Sequence, residues 1–240
     1  MKKFEGSRFA GIYRVSIMLL NTFIYSIVFF KISFAETLDV QADYLKSLFD
    51  YTNPYRGQTF MLPTGVKANK LTVYVSSNIY QSFSFNLLLT EVDTTAGLHP
   101  SKVLFESTPF TIPVGGGNNF IPCTADLGGI PLSAGKPYAF ILDIFGSLSQ
   151  IHSDALWEYA TRTGMNSGAA YAMGDHISFK DNCTDPSTGL PCGSREDHFA
   201  GSWIEETSED MGFILEYTPD TPPVPISFMA PINLLLLKGN

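Results

Sequence analysis

The sequence predicts an all-β fold: a two-sheet antiparallel sandwich of jelly-roll type, of the kind found in lectins and carbohydrate-binding modules. Three observations predict it. About ten short segments are rich in β-branched and aromatic residues. Each is bounded by Gly, Pro, Asn, Asp or Ser. Within them, apolar and polar residues alternate, the mark of a sheet packed on one face and wet on the other.

Residues 1–35 read as a secretory signal peptide. A basic leader with Lys2, Lys3, Arg8 and Arg14 precedes an apolar run over 15–30, and Ser33 and Ala35 occupy the small-residue positions before a cleavage point. The alternative is an uncleaved anchor, raised by the long leader and by Lys31. Taking that segment's five Lys/Arg and one Glu from the chain's 15 basic and 23 acidic residues leaves a net charge of −12. A surface of that sign repels nucleic acid and anionic lipid, so neither is expected as a partner.

The predicted domain covers 36–217. Its start, 36–56, is a lead-in of loop or short helix, with Tyr44, Leu45, Leu48 and Phe49 of 42–51 at helical spacing. Strands are predicted at 58–63, 70–77, 82–92, 102–107, 109–114, 118–127, 137–145, 155–161, 169–173 and 211–217. In 70–77, Leu71, Val73 and Val75 share one face against Thr72, Tyr74 and Ser76. In 82–89, Phe83, Phe85, Leu87 and Leu89 alternate with Ser82, Ser84, Asn86 and Leu88.

The glycines of "DLGGIPLSAGKPYAF" (126–140) are turn residues and not a phosphate cradle. Pro137 after Gly135-Lys136 has no amide hydrogen to offer, and a strand follows where both nucleotide-binding fingerprints require a helix. Gly128-Gly129 and Ala134-Gly135 are expected to supply positive φ at the corner between two strands. The tail, 218–240, begins with the proline-rich "TPDTPPVP" and continues into an apolar stretch, 226–237, that contains Pro231. That stretch falls short of the ~17–20 residues that span a bilayer, so no stable membrane span is expected after the leader.

Three cysteines are present. Cys183 and Cys192 bracket a short polar segment and form the natural disulfide pair in an oxidising compartment, whereas Cys123 is expected reduced and buried in a strand. The four histidines, His99, His152, His176 and His198, are spread over predicted loops without a zinc-protease or serine-hydrolase motif. No catalytic residue is assigned, and no cofactor is expected apart from structural calcium. That ion is suggested by "EETSED", where Glu205, Glu206, Glu209 and Asp210 offer hard oxygen ligands. The alternative is a solvated hairpin whose charges guard an edge strand. Trp157, Tyr159, Tyr171 and Trp203, with Arg162, are the candidates for stacking on and hydrogen bonding to sugar rings; the alternative places the tryptophans in the core.

Segments "GQTFMLPTGVKANKLTVYVSS", "FSFNLLLTEVD", "LFES", "ADLGGIPLSAGKPYAFIL", "GAAYAM", "SW" and "DMGFILEY", in that order over 57–217, resemble a bacterial extracellular β-sandwich found ahead of PEP-CTERM sorting tails. The resemblance implies export in a Gram-negative bacterium and a secreted or surface location. It carries no assigned activity. Pro-rich 218–225 looks like the start of such a tail, but the long apolar span and terminal basic cluster are missing. The expected function is a non-catalytic surface protein binding extracellular polysaccharide. A purely structural matrix component and a secreted glycan-active hydrolase are the alternatives.

Overall fold

Strand β4 (Val66–Ser77) shows how composition becomes architecture. Leu71, Val73 and Val75 are fully buried while Thr72 and Tyr74 between them are half-buried, so one face of the strand builds core. Along one edge β4 pairs with β8 (Ile121–Leu132). Along the other it pairs first with β14 (Phe213–Pro219) and then with β10 (Thr161–Asn166). Beyond these lie β1 (Glu36–Val40) on β14, and β2 (Tyr44–Ser47) and β13 (Asp210–Met211) on β10. The second sheet runs β12 (Trp203–Glu206), β11 (His176–Phe179), β3 (Tyr55–Met61), β9 (Pro137–Asp143), β5 (Phe83–Asp93) and β6 (His99–Glu106), with β7 (Phe110–Ile112) also on β5. Every pairing of these strands is antiparallel, and the two sheets make an all-β sandwich.

This computed structural model describes residues 35–47, 54–77, 82–95, 97–114, 119–144, 161–167, 171–179 and 192–220. These residues belong to one unit, Ala35–Thr221. The predicted signal peptide up to residue 34, the apolar tail and the predicted strand through Trp157 lie outside the described residues.

Two cores form because the second sheet is covered on both faces. Tyr138, Phe140 and Leu142 of β9 point into the main core between the sheets, where Phe140 meets Phe213 at 5.0 Å between ring centroids. Ala139 and Ile141 point the other way, joining Tyr55, Leu88, Ile177 and Phe179 in an outer core. This explains why "PYAFILD" is an unbroken apolar run where a half-wet strand would alternate. It also corrects the reading of β5, in which Leu88 was placed on a wet face: it is fully buried in the outer core.

The cover of the outer core is α1 (Arg195–Phe199), whose Phe199 packs beside Trp203. A capping box starts this short helix: Ser194 Oγ accepts from the Asp197 amide, and Asp197 Oδ2 accepts from the Ser194 amide at 2.9 Å. The helix expected at 42–51 does not form over its described part. Tyr44–Ser47 is strand β2, held by β10. Its backbone hydrogen bonding is set by that neighbour, which outweighs the weak helical spacing.

Gly128-Gly129 is likewise not at the strand corner. Both have positive φ, 66° and 83°, but they sit inside β8, where Leu127, Gly128 and Gly129 stand opposite Asn69 alone as a bulge. The corner itself is Ser133–Lys136, with Gly135 at φ 66°.

At the junction of β1–β2, β10 and β13–β14 the backbones nearly touch. A Cβ on Gly212 would lie 2.5 Å from Ala42 Cβ, and one on Gly164 2.7 Å from the same atom. Gly212 N donates to Gly164 O at 2.8 Å, and Asp43 N to Met165 O at 2.8 Å. This crossing fixes where Tyr44 on one side and Asp210 on the other enter the space between the sheets.

Candidate functional site

The strand β11, "HISF", is buried at all four positions because β3 and β12 flank it and both faces are covered. Its period of two sends Ile177 and Phe179 to the outer core and His176 and Ser178 to the inner face. Glu206 of β12 lies directly opposite His176 in the register, so their side chains share that inner face. The turn after β12 then brings Glu209 to the same place. His176 Nδ1 is 3.6 Å from Glu206 Oε2 and 3.9 Å from Glu209 Oε1. One donor atom from each of the three residues falls within 4.8 Å of the others.

His176 is 0% exposed, and neither ring nitrogen has a hydrogen-bond partner. Its acidic neighbours are held from behind. Arg56 Nη1 donates to Glu206 Oε1 at 3.3 Å, and the Tyr44 hydroxyl donates to Glu209 Oε2. Each carboxylate is thus anchored through one oxygen and turns the other towards the imidazole. Burial, reinforced by the hydrogen bond to Glu209, pushes the Tyr44 hydroxyl well above its ordinary range, so it remains a donor.

Asp210, next to Glu209, has a different task. Its carboxylate accepts from Gln58 Nε2 and from the Tyr171 amide, both at 2.8 Å, while Gln58 Oε1 accepts from the Met211 amide at 2.9 Å. Gln58 belongs to β3 and Asp210 to β13, so this buried pair ties one sheet to the other. Asp175, just before His176, has its carboxyl held above the usual range by burial, with Glu205 and Asp210 adding to it.

The acidic segment therefore splits. Glu206 and Glu209 converge with His176. Glu205 sits on the other face of β12, where its Oε1 accepts from the Leu98 amide at 3.1 Å. Asp210 is committed to the sheet-to-sheet link. His176 is the residue that sequence reasoning missed. Strand alternation puts Glu205 and Glu206 on opposite faces once 203–206 is known to be β12; neither that strand nor the β11–β12 register was read from the sequence.

The aromatic candidates are placed in packing. Tyr171 is buried, stands edge-on to Phe213, and donates its hydroxyl to Met61 O at 2.6 Å. Trp203 packs among Tyr55, Phe179 and Phe199, with Nε1 donating to His198 O at 3.2 Å. Trp157, Tyr159 and Cys183 lie outside the described residues, as does the side chain of Arg162, whose backbone pairs with Ser47 and Ser76. Cys123 is free and buried in β8, and burial pushes its thiol up to about 11.

A second polar region lies on the outer side of the same sheet. Arg195 makes paired contacts to Glu106 at 2.9 and 3.0 Å and reaches the buried Asp143 at 2.7 Å. Beside it a cleft of about 460 Å³ is lined by His99, Ser101, Val103, Glu106, Glu196 and Phe199. Beneath the helix, His198 Nε2 lies 2.8 Å from Cys192 O and Nδ1 lies 3.2 Å from the Tyr55 hydroxyl. A carbonyl only accepts, so in the neutral ring Nε2 donates and Nδ1 accepts.

No protein-family model and no curated protein matches the chain.

Proposed function

We propose that the chain is an exported, non-catalytic β-sandwich module that serves as a structural component of a bacterial surface or extracellular matrix. The observation that carries this reading is the use made of its aromatic rings. Tyr171 and Trp203, the described candidates for a sugar platform, are spent on the two cores and on internal hydrogen bonds. Converging acids alone do not favour a hydrolase. Glu206 and Glu209 are tethered to Arg56 and Tyr44 and do not line the surface cleft. The reading includes the resemblance to PEP-CTERM-associated domains, cleavage of the leader after Ala35, and a Cys183–Cys192 disulfide. Expression in a Gram-negative host tests it. The exported protein should begin at Glu36 and lose no thiols but one to alkylation under non-reducing conditions. Retention of the leader, or three reactive thiols after denaturation, overturns it.

Polysaccharide binding is the second reading, and the cleft beside α1 favours it. Ser101, Glu106 and Glu196 surround apolar Val103 and Phe199 there, the mixture that suits sugar hydroxyls above C–H faces. A glycan array with the full chain decides between the two. Binding lost in Ser101→Trp, which fills the cleft, makes the module a lectin; the structural reading expects no binding.

A further inference from the structure

We propose that His176, Glu206 and Glu209 form a binding site for a divalent transition-metal ion of the zinc class, clamping the edge of one sheet to the other.

The first support is the histidine itself. Buried side-chain nitrogens are nearly always hydrogen-bonded, because an unmet donor or acceptor keeps the full cost of its lost hydration. His176 is fully buried with both ring nitrogens unmet, and Nδ1 is directed at two carboxylate oxygens. Those distances, 3.6 and 3.9 Å, are too long for hydrogen bonds. They are close to what an ion requires: two ligands each about 2 Å from a tetrahedral zinc stand roughly 3.3 Å apart. The three donor atoms lie within 4.8 Å of one another, so side-chain adjustment of the two glutamates would close the site around an ion.

The second support is the way the acids are held. The Arg56 contact to Glu206 and the Tyr44 contact to Glu209 fall on one oxygen of each carboxylate, and the other oxygen of each is the one nearest the imidazole. Hydrogen bonds of this kind orient metal ligands. Two carboxylates also supply the charge that balances a dication beside a fully buried imidazole. With the ion on Nδ1 the ring proton sits on Nε2, so the ion satisfies one of the two unmet nitrogens.

The donor set selects the metal. Calcium takes six to eight oxygens and has no use for a buried imidazole, whereas one imidazole with two carboxylates suits zinc and its first-row neighbours. Of the four acids first considered for calcium, Glu205 faces away and Asp210 is engaged by Gln58 and the Tyr171 amide. The inference does not depend on the proposed function.

Calorimetric titration of the tag-free full chain, stripped with a chelator, tests it. Zinc is expected to bind one to one and to raise the melting temperature, whereas calcium does neither. Cobalt should give the visible absorption of a low-coordinate site. His176→Gln and Glu209→Gln should each weaken zinc binding by more than the roughly 10–100-fold that loss of an outer-shell partner costs, with Tyr44→Phe in that lower range. Glu205→Gln, on the opposite face of β12, should bind as the parent does. If the ligand variants fail to fold, imidazole proton resonances of the parent decide: zinc should shift those of one buried histidine. The site is overturned by absence of saturable zinc binding, by parent-like binding in His176→Gln, or by stabilisation with calcium alone.

Discussion

Among the described residues one histidine is buried against each face of the second sheet, His176 on its own strand β11 and His198 on the covering helix α1, and the two are solved differently. His198, on the outer side, is 2% exposed and completely accounted for: a carbonyl takes one nitrogen, a tyrosine hydroxyl meets the other, and Phe179 lies against the ring at 4.8 Å between centroids. His176, on the inner side, is equally buried but has two carboxylates near it and no hydrogen bond. Burial alone therefore does not mark a functional histidine. What separates them is whether the surrounding chain completes the hydrogen bonding, and only the inner site leaves that to another group.

The outer region should be the more costly to damage. Phe179→Ala removes a ring shared by Tyr55, His198 and Trp203, and about 3–5 kcal/mol of stability should go with it, measured by urea unfolding. The next test compares the histidines directly in metal-free protein. His198→Leu removes the ring's hydrogen bonds to the Cys192 carbonyl and the Tyr55 hydroxyl and should cost about 1–3 kcal/mol. His176→Leu removes two unmet nitrogens and should cost little or nothing. Equal losses at the two positions would break the comparison.

Acid titration should add a second contrast, with opposite signs at two carboxyls. Hydrogen bonding from Arg195, ahead of its charge, holds Glu106 below the usual carboxylate range. Its contribution is present above the unfolded pKa and is lost as pH falls through the folded value. Glu106→Gln should thus cost under about 1 kcal/mol at neutral pH and nothing in strong acid. Asp175 runs the other way. Its raised pKa means that its contribution is full below the unfolded value and is lost as pH rises through the folded one. Asp175→Asn should stabilise the neutral protein by under about 0.5 kcal/mol, with no gain in acid.

The sandwich was legible in the sequence because period-two strands such as β4 need no partner to be recognised. The helix was not, because the apolar content of "SREDHF" is two buried residues, His198 and Phe199, inside a polar insertion. Its capping signal, Ser194 three residues before Asp197, was there to be read. The acids of the inner site were picked out from charge density, but their division required knowing that β12 is a strand. His176 was out of reach for another reason. It joins Glu206 through strand pairing across 30 residues of chain, and no local pattern encodes a register of that kind.

The bulge in β8 has a consequence for life at high local concentration. Among the described residues β8 pairs only with β4, so no described strand covers its far side. Pro122 and Pro131 offer no amide hydrogen there, and Gly128-Gly129 at positive φ breaks the straight run between them. An incoming strand would find no continuous ladder to extend, which blocks fibre-like growth from this side. The two glycines of this bulge thus help to keep each molecule separate from the next.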